Sequence, residues 1–332
     1  MMKQIHRIKK ILGLKRCEAT LVAVMSAVLV ISGLSLAEEA NQLKFASPEE
    51  AVRTMVEALN SNDTPALEAI FGSGSADLIS SGDPTANQLE RERFLKLYGE
   101  KSRLEQTADK VVLSIGNEDW PFPIPIVKED DLWFFDTEEG RDEILARRIG
   151  HNELNAIQVC LAYVDAQREY AFKDRDADGN LQYAQKIRSD EGMKNGLYWE
   201  AKAGDDQSPL GPLFAAAHEK GYSLESSGDH PIPYYGYYYR IIEGQGRDAP
   251  GGAYDYLVNG KMIGGFALVA YPATYASSGI MTFIVNHDGT VYQKDLGPNT
   301  EKAAQAIELF DPDSTWKKAE EKAIRTKGNA SG

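Results

Sequence analysis

The sequence predicts an α+β protein in two parts: helices closed by a small curled antiparallel sheet, then one long helix packed on an antiparallel β-meander. Three observations carry this. Apolar residues recur at helical spacing behind good capping residues in the first hundred positions, and short β-branched runs follow them. A long helical stretch runs from Glu138 to Lys173. The stretch from Tyr234 to Pro298 then holds a tyrosine cluster, two glycine-rich turns and several strand-like runs, ending in a hairpin around Asp288-Gly289.

Taken in order, Ser47-Pro48-Glu49-Glu50 opens a helix, with Ser47 as N-cap, Pro48 in the first turn and Glu50 completing a capping box. Val52, Met55, Val56 and Leu59 form its apolar stripe, and Asn60-Ser61-Asn62-Asp63 ends it. Asp63 caps a short second helix carrying Leu67, Ile70 and Phe71, and a third begins after Asp83-Pro84. Strands are predicted at Lys110–Ile115, Phe122–Val127 and Leu132–Phe135, with Lys128-Glu129-Asp130-Asp131 as a solvated hairpin loop. In the long helix, Leu154, Ile157, Cys160, Leu161, Val164 and Tyr170 keep an apolar stripe, and Gly150 is an expected point of interruption. A last helix is predicted from Glu301 to Phe310, followed by a Lys/Glu/Ala-rich mobile tail. The expected domains are a signal peptide at 1–37, a first α+β domain at 45–148, a second at 149–300, and the C-terminal helix and tail at 301–332.

The N-terminus reads as a secretory leader. Lys3, Arg7, Lys9, Lys10, Lys15 and Arg16 precede an apolar run from Ala19 to Leu36 that ends in Ser35-Leu36-Ala37. Cleavage near Ala37 and a mature start near Glu38 are expected, with a periplasmic or secreted product and no transmembrane segment left behind. An uncleaved leader tethering a membrane assembly subunit is the other reading of the same run. Cleavage removes six positive charges and one negative, taking the net charge from −14 to about −19. Such acidity argues against nucleic acid and anionic lipid as partners. Cys17 leaves with the leader, so Cys160 is the only thiol and an intrachain disulfide is excluded.

The words "DWPFPIPIV", "ARRIGHNELNAIQVCLAYVDAQREYA", "SPLGPL" and "APGGAYDYLVNGKMIGGFALVAYPATYASSGIMTFIVNHDGTVYQKDLGP" resemble the domain of unknown function 2950 family of exported bacterial proteins, over nearly all of the mature chain. That family name implies no activity. The opening "SPEEAVRTMVEALNSNDTPALEAIF" resembles NTF2-like domains, in which helices close over a curled sheet. The second half resembles the globular part of type IV pilins and pseudopilins, through Asn152, Glu153, Ala166, Gln167, Tyr170, Pro272, Gly279, Phe283, Asp288 and Gly289. The pilin-type cleavage motif and N-terminal assembly helix are absent, so this resemblance implies a fold and no filament.

Candidate sites follow from residue chemistry. Asp174-Arg175-Asp176-Ala177-Asp178-Gly179-Asn180-Leu181 matches the first eight positions of a calcium loop, so Asp174, Asp176, Asp178 and Asn180 are the expected metal ligands and calcium the expected cofactor. Gln185 stands where a bidentate Glu closes such a cage, and a solvated acidic loop is the competing reading. Trp120, beside alternating prolines, is a candidate pocket lip or a protected sheet edge. Arg148 is a candidate anion ligand. Arg147 is expected to pair with Glu143 one turn away, and an ion network with Glu153 is the further expectation. Tyr235, Tyr237 and Tyr239 are expected on one strand face, as a glycan- or peptide-binding surface or as a half-buried sheet. His287 falls in the hairpin turn, and Arg247-Asp248-Ala249-Pro250-Gly251-Gly252 has no helix behind it, so it does not match a phosphate cradle. No catalytic residues emerge, because G-x-S-x-G, H-E-x-x-H, C-x-x-C and SxxK are all missing. The leading expectation is an exported non-enzymatic binding or envelope-associated protein whose partner is an envelope protein, a peptide or a glycan. The alternative is a periplasmic hydrolase-like enzyme with its site in the first domain's cone cavity, near Trp120, Asp136 and Arg148.

Overall fold

Four helices start the described chain, three of them with side-chain caps. In this computed structural model the described residues are 42–107, 110–202, 204–222 and 232–319. The expected leader and mature start, His230, and the tail beyond 319 lie outside them. The helices are α1 (Pro48–Ser61), α2 (Thr64–Phe71), α3 (Ala76–Ile79) and α4 (Pro84–Glu100). Ser47 accepts from the Glu50 N–H at 3.2 Å, while the Glu50 carboxylate accepts from the Ala46 N–H at 2.9 Å. The predicted box therefore closes one residue early. Asp63 and Asp83 cap α2 and α4 through the N–H groups of Ala66 and Ala86, each at 3.0 Å.

The first sheet comprises β1 (Ser102–Gln106), β2 (Lys110–Ile115), β3 (Trp120–Pro121), β4 (Ile126–Glu129) and β5 (Leu132–Phe135). It is antiparallel in the order β1-β2-β4-β5, with β3 also on β2. The predicted strand at Phe122–Val127 does not form as one piece. Pro121, Pro123 and Pro125 lack ladder donors, and the chain crosses from β3 to β4 without regular pairing. Asp130 and Asp131 have φ of 48° and 66°, the type I′ pattern for a two-residue hairpin. Val111, Leu113, Ile115, Ile126 and Phe135 are buried against Val52, Met55 and Ile70 of the helices.

The long helix α5 (Thr137–Tyr170) continues through Gly150 without a break. Its Gly140 is required. A Cβ there would lie 2.7 Å from the Pro123 carbonyl oxygen and from the Ile124 Cα, so the helix passes close to the proline crossing. After α6 (Gly211–Glu219) the second sheet uses β6 (Tyr237–Ile242), β11 (Ala267–Pro272), β12 (Met281–Asn286), β13 (Val291–Asp295) and β14 (Lys317–Lys318). Two ribbons intervene, pairing β7 (Gly244–Gln245) with β8 (Tyr254–Asp255) and β9 (Leu257–Val258) with β10 (Lys261–Met262). The large sheet is antiparallel in the order β14-β13-β12-β11-β6.

By register, Tyr237, Tyr239, Phe283 and Val285 share the sheet face covered by α5. On the other face, Arg240 donates to the Ile307 carbonyl at 2.6 Å and the Tyr292 ring meets Phe310. The last helix, α7 (Thr300–Gln305), is shorter than predicted. The chain extends after it, and Phe310 exchanges backbone hydrogen bonds with Gly244 and Gly246, both at 3.0 Å, as its ring enters the core. The described residues belong to one compact unit. Among them, no helix is long and apolar enough to cross a membrane.

Candidate functional site

Asp83 sits at the centre of the polar seam between the first sheet's helices and the second sheet. It is 1% exposed. Besides capping α4, its carboxylate accepts from the Gly236 N–H at 2.9 Å and from the Tyr222 hydroxyl at 3.1 Å. Burial and the adjacent carboxylate push the Tyr222 hydroxyl up from its ordinary value, so it remains a donor. Gly236 is irreplaceable in this packing: φ is 70°, and a Cβ would stand 2.7 Å from the Asn152 Nδ2 and 2.9 Å from the Ser278 Cβ. Asn152 in turn donates to the Ser278 carbonyl at 2.9 Å.

Of the predicted site residues, Arg148 joins this seam. Its guanidinium donates to the carbonyls of Asp77 (2.5 Å) and Leu78 and to the Ser277 hydroxyl (3.3 Å). Burial pulls its pKa down, opposed by the charges of Asp77 and Glu90. It ties α5 to α3 and to the turn before β12. Glu153 is also fixed, by the N–H groups of Ile280 and Met281, both at 3.0 Å, and not by an arginine. Asp136 is the N-cap of α5, accepting from the Glu139 N–H at 3.2 Å. Trp120 is 42% exposed and lies elsewhere, with the Arg147 guanidinium 4.5 Å from its ring centre and Glu143 2.5 Å from Arg147. Trp120, Asp136 and Arg148 therefore occupy three different local roles.

The tyrosines differ from the expected register. Tyr235 is not in the strand. It occupies a tight turn with φ of 51°, while Tyr234 and Tyr237 exchange backbone hydrogen bonds across it. Tyr235-Gly236 takes the type I′ pattern, where Asn-Gly is the ordinary choice, so a bulky residue here is strained. Its ring lies 4.5 Å from Tyr234 and 6.0 Å from both Tyr222 and His151, and Lys220 donates to its hydroxyl. Tyr237 is fully buried under α5, and burial holds its hydroxyl and that of Tyr239 well above the ordinary range.

In the acidic loop the carboxylates diverge. Asp174 accepts from the Gly179 N–H at 2.8 Å, Asp176 is held by Gln182, and Asp178 pairs with Lys261 while accepting from the Asn180 N–H at 2.9 Å. Among the described residues, no three His, Cys, Asp or Glu side chains are arranged to hold a metal. Nearby, Lys173 and Arg175 hold the Asp206 carboxyl well below the usual range. The Arg175 guanidinium lies between the rings of Tyr170 and Trp199, at 4.7 and 4.8 Å.

One corner was not assembled from the sequence. Tyr254, set after the glycine-rich loop, places its hydroxyl 3.4 Å from the His287 Nε2, and Asp288 lies 3.9 Å from the same nitrogen. Arg168 on α5 donates to the His287 carbonyl at 2.8 Å. The loop is anchored beneath by Gln245, whose amide donates to the carbonyls of Pro250 (2.9 Å) and Gly252 (2.7 Å). The Asp288-Gly289 hairpin signal located the turn, but nothing local pointed to a partner 33 positions earlier.

A family described as "Protein of unknown function (DUF2950)" matches residues 42–319. The chain belongs to this family. A search of curated proteins and of solved structures returns no match, so the NTF2-like and pilin-like resemblances have no solved counterpart to rest on. Cys160, Ser277 and Ser278 are all buried in the fold. Burial pushes the Cys160 thiol up to about 12, far from a thiolate. The Ser277 and Ser278 hydroxyls donate to the carbonyls of Asp77 (3.3 Å) and Thr274 (3.1 Å).

Proposed function

We propose that this DUF2950 protein is an exported, non-enzymatic binding protein associated with the cell envelope. The observation that carries this reading is the use of reactive side chains as fasteners. Asp83, Arg148, Glu153 and Asp206 each hold separate stretches of chain together, and the Cys160 thiol is buried. A catalytic acid, base or nucleophile must keep an edge free for substrate. Export rests on the basic leader and apolar run that end at Ala37. Contact with a partner then falls to exposed aromatic and polar groups such as Trp120 and Tyr254.

The hydrolase alternative needs a polar cavity inside the first sheet. Buried Val111, Leu113, Ile126 and Phe135 occupy its inner side, and Asp136 is committed to capping α5, so both observations count against it. The test is to incubate purified protein with isolated envelope polymers and follow both retention and product release. Saturable retention with unchanged polymer is expected; steady release of soluble fragments would remove the reading. Sequencing the N-terminus of the exported protein checks the leader, with a start near Glu38 expected.

A further inference from the structure

We propose that the corner formed by Tyr254, His287, Asp288 and Arg168 is a saccharide-binding subsite, an inference that rests on the binding reading above and supplies its ligand class. The corner draws on α5, β8 and the β12–β13 turn, and its base is rigid. Tyr256 and Phe266 are fully buried, and His287 packs edge-on against both, at 5.7 and 6.1 Å between ring centres. Tyr254 stands edge-on to Tyr256 at 5.6 Å and 73°, which fixes the direction of its ring. The backbone of Gly265 seats the histidine so closely that a Cβ there would lie 2.7 Å from Nδ1. The Nε2 edge faces outward to Tyr254 and Asp288.

Tyr254 is 38% exposed. The loop before it carries Gly251 and Gly252; a Cβ on Gly251 would stand 4.0 Å from the Tyr254 Cε1, and one on Gly252 would meet nothing within 4 Å. A flat aromatic surface with space beside it suits the C–H face of a sugar ring. The rim supplies the matching polar chemistry. Asp288 accepts, Arg168 donates, and the outward His287 Nε2 does one or the other according to tautomer. Vicinal hydroxyls both donate and accept, so they satisfy such a mixed rim where a simple anion or cation does not.

Beneath the corner, Asn286 is 1% exposed and its side chain interacts with the Tyr256 hydroxyl. The His287 Nδ1 is buried against the Gly265 backbone with no hydrogen-bond partner among the described residues, so the imidazole meets a ligand through its Nε2 edge alone. A peptide would call for a side-chain pocket or an open strand edge. Here the apolar contact is one ring, and the Asp288 carboxylate at the rim opposes a polyphosphate.

The test titrates the purified full chain with three probes: an N-acetylglucosamine oligomer, a β-1,4-glucan oligomer and an α-1,4-glucan oligomer, read by calorimetry. At least one is expected to bind with a Kd between about 10 µM and 1 mM. Tyr254→Ala should weaken it at least about tenfold, Asp288→Asn by a comparable factor, and Tyr254→Phe by less than about threefold, since the ring remains. Thermal melts confirm that each variant is folded, and Asp288→Asn, at an exposed turn, keeps the test valid if Tyr254→Ala is not. No binding of any probe up to about 10 mM, or unchanged affinity in folded Tyr254→Ala and Asp288→Asn, overturns the proposal. A probe that is bound and also cleaved supports the subsite and removes the non-enzymatic reading. A protein or peptide ligand bound while every sugar fails keeps that reading and removes the subsite.

Discussion

The two sheets of this molecule are stabilised in different ways. The first is closed by apolar side chains, with Met55, Ile70, Ile126 and Phe135 fully buried between helices and strands. Its neighbouring strands are close in sequence, so pairing forms locally. In the second region β6 pairs with β11 across two intervening ribbons, and irregular chain surrounds the helix. All the buried Asn and Gln side chains among the described residues lie there: Asn152, Asn155, Gln167, Gln182, Gln245 and Asn286. Irregular backbone leaves N–H and C=O groups without ladder partners, and side-chain amides take their place. Gln167 illustrates this. It accepts from the Ala184 N–H at 2.8 Å and donates to the Ala184 carbonyl at 2.7 Å, so that α5 holds a segment with no secondary structure of its own.

This contrast breaks first at Asp83. Asp83→Ala removes the α4 cap and leaves the Tyr222 hydroxyl proton and the Gly236 N–H without an acceptor, an expected loss of about 4 kcal/mol by denaturant unfolding. Gln167→Leu keeps the side chain's approximate volume but leaves both Ala184 groups unpaired and removes the donor to the Tyr163 hydroxyl, which keeps its own bond to the Ala267 carbonyl, so about 3 kcal/mol of destabilisation is expected. A small change there would show that the second region is held by packing like the first. Gly236→Ala combines a positive φ with contact against Asn152 and Ser278, an expected loss of about 2 kcal/mol. The smallest effect is electrostatic. Because the Asp206 carboxyl is held below its unfolded value, its contribution is present above about pH 4 and fades as pH falls. Asp206→Asn should flatten the acid limb of the stability profile, with a modest loss at neutral pH carried by Arg175, whose side chain is 6% exposed but keeps its stacking on Tyr170 and Trp199, while Lys173 and Lys194 remain largely solvated.

The same contrast explains what could be read from the sequence. Strands Lys110–Ile115 and Leu132–Phe135 follow from β-branched and aromatic runs, and the caps at Ser47 and Asp63 follow from spacing alone. Strand β1 was missed because Ser102-Arg103-Leu104-Glu105-Gln106 is mostly exposed and carries no apolar signal. Gly150 suggested a break, yet both flanks of α5 are held by packing, which outweighs one glycine's propensity. Tyr235 was assigned to a strand face because alternation ignores turn geometry, and its positive φ appears only when Tyr234 pairs with Tyr237. In the sequence Asp83 only marks, with Pro84, where a helix begins. Its other partners lie 139 and 153 positions away, a separation that no local pattern reveals.

Hydrogen exchange followed by mass spectrometry on the native protein and on Asp83→Ala tests most directly whether such polar fasteners make one cooperative body of both regions. Peptides covering β2 and β12 should open with the same free energy in the native chain and lose protection together in the variant. Protection lost around β12 while β2 stays unchanged would contradict the account.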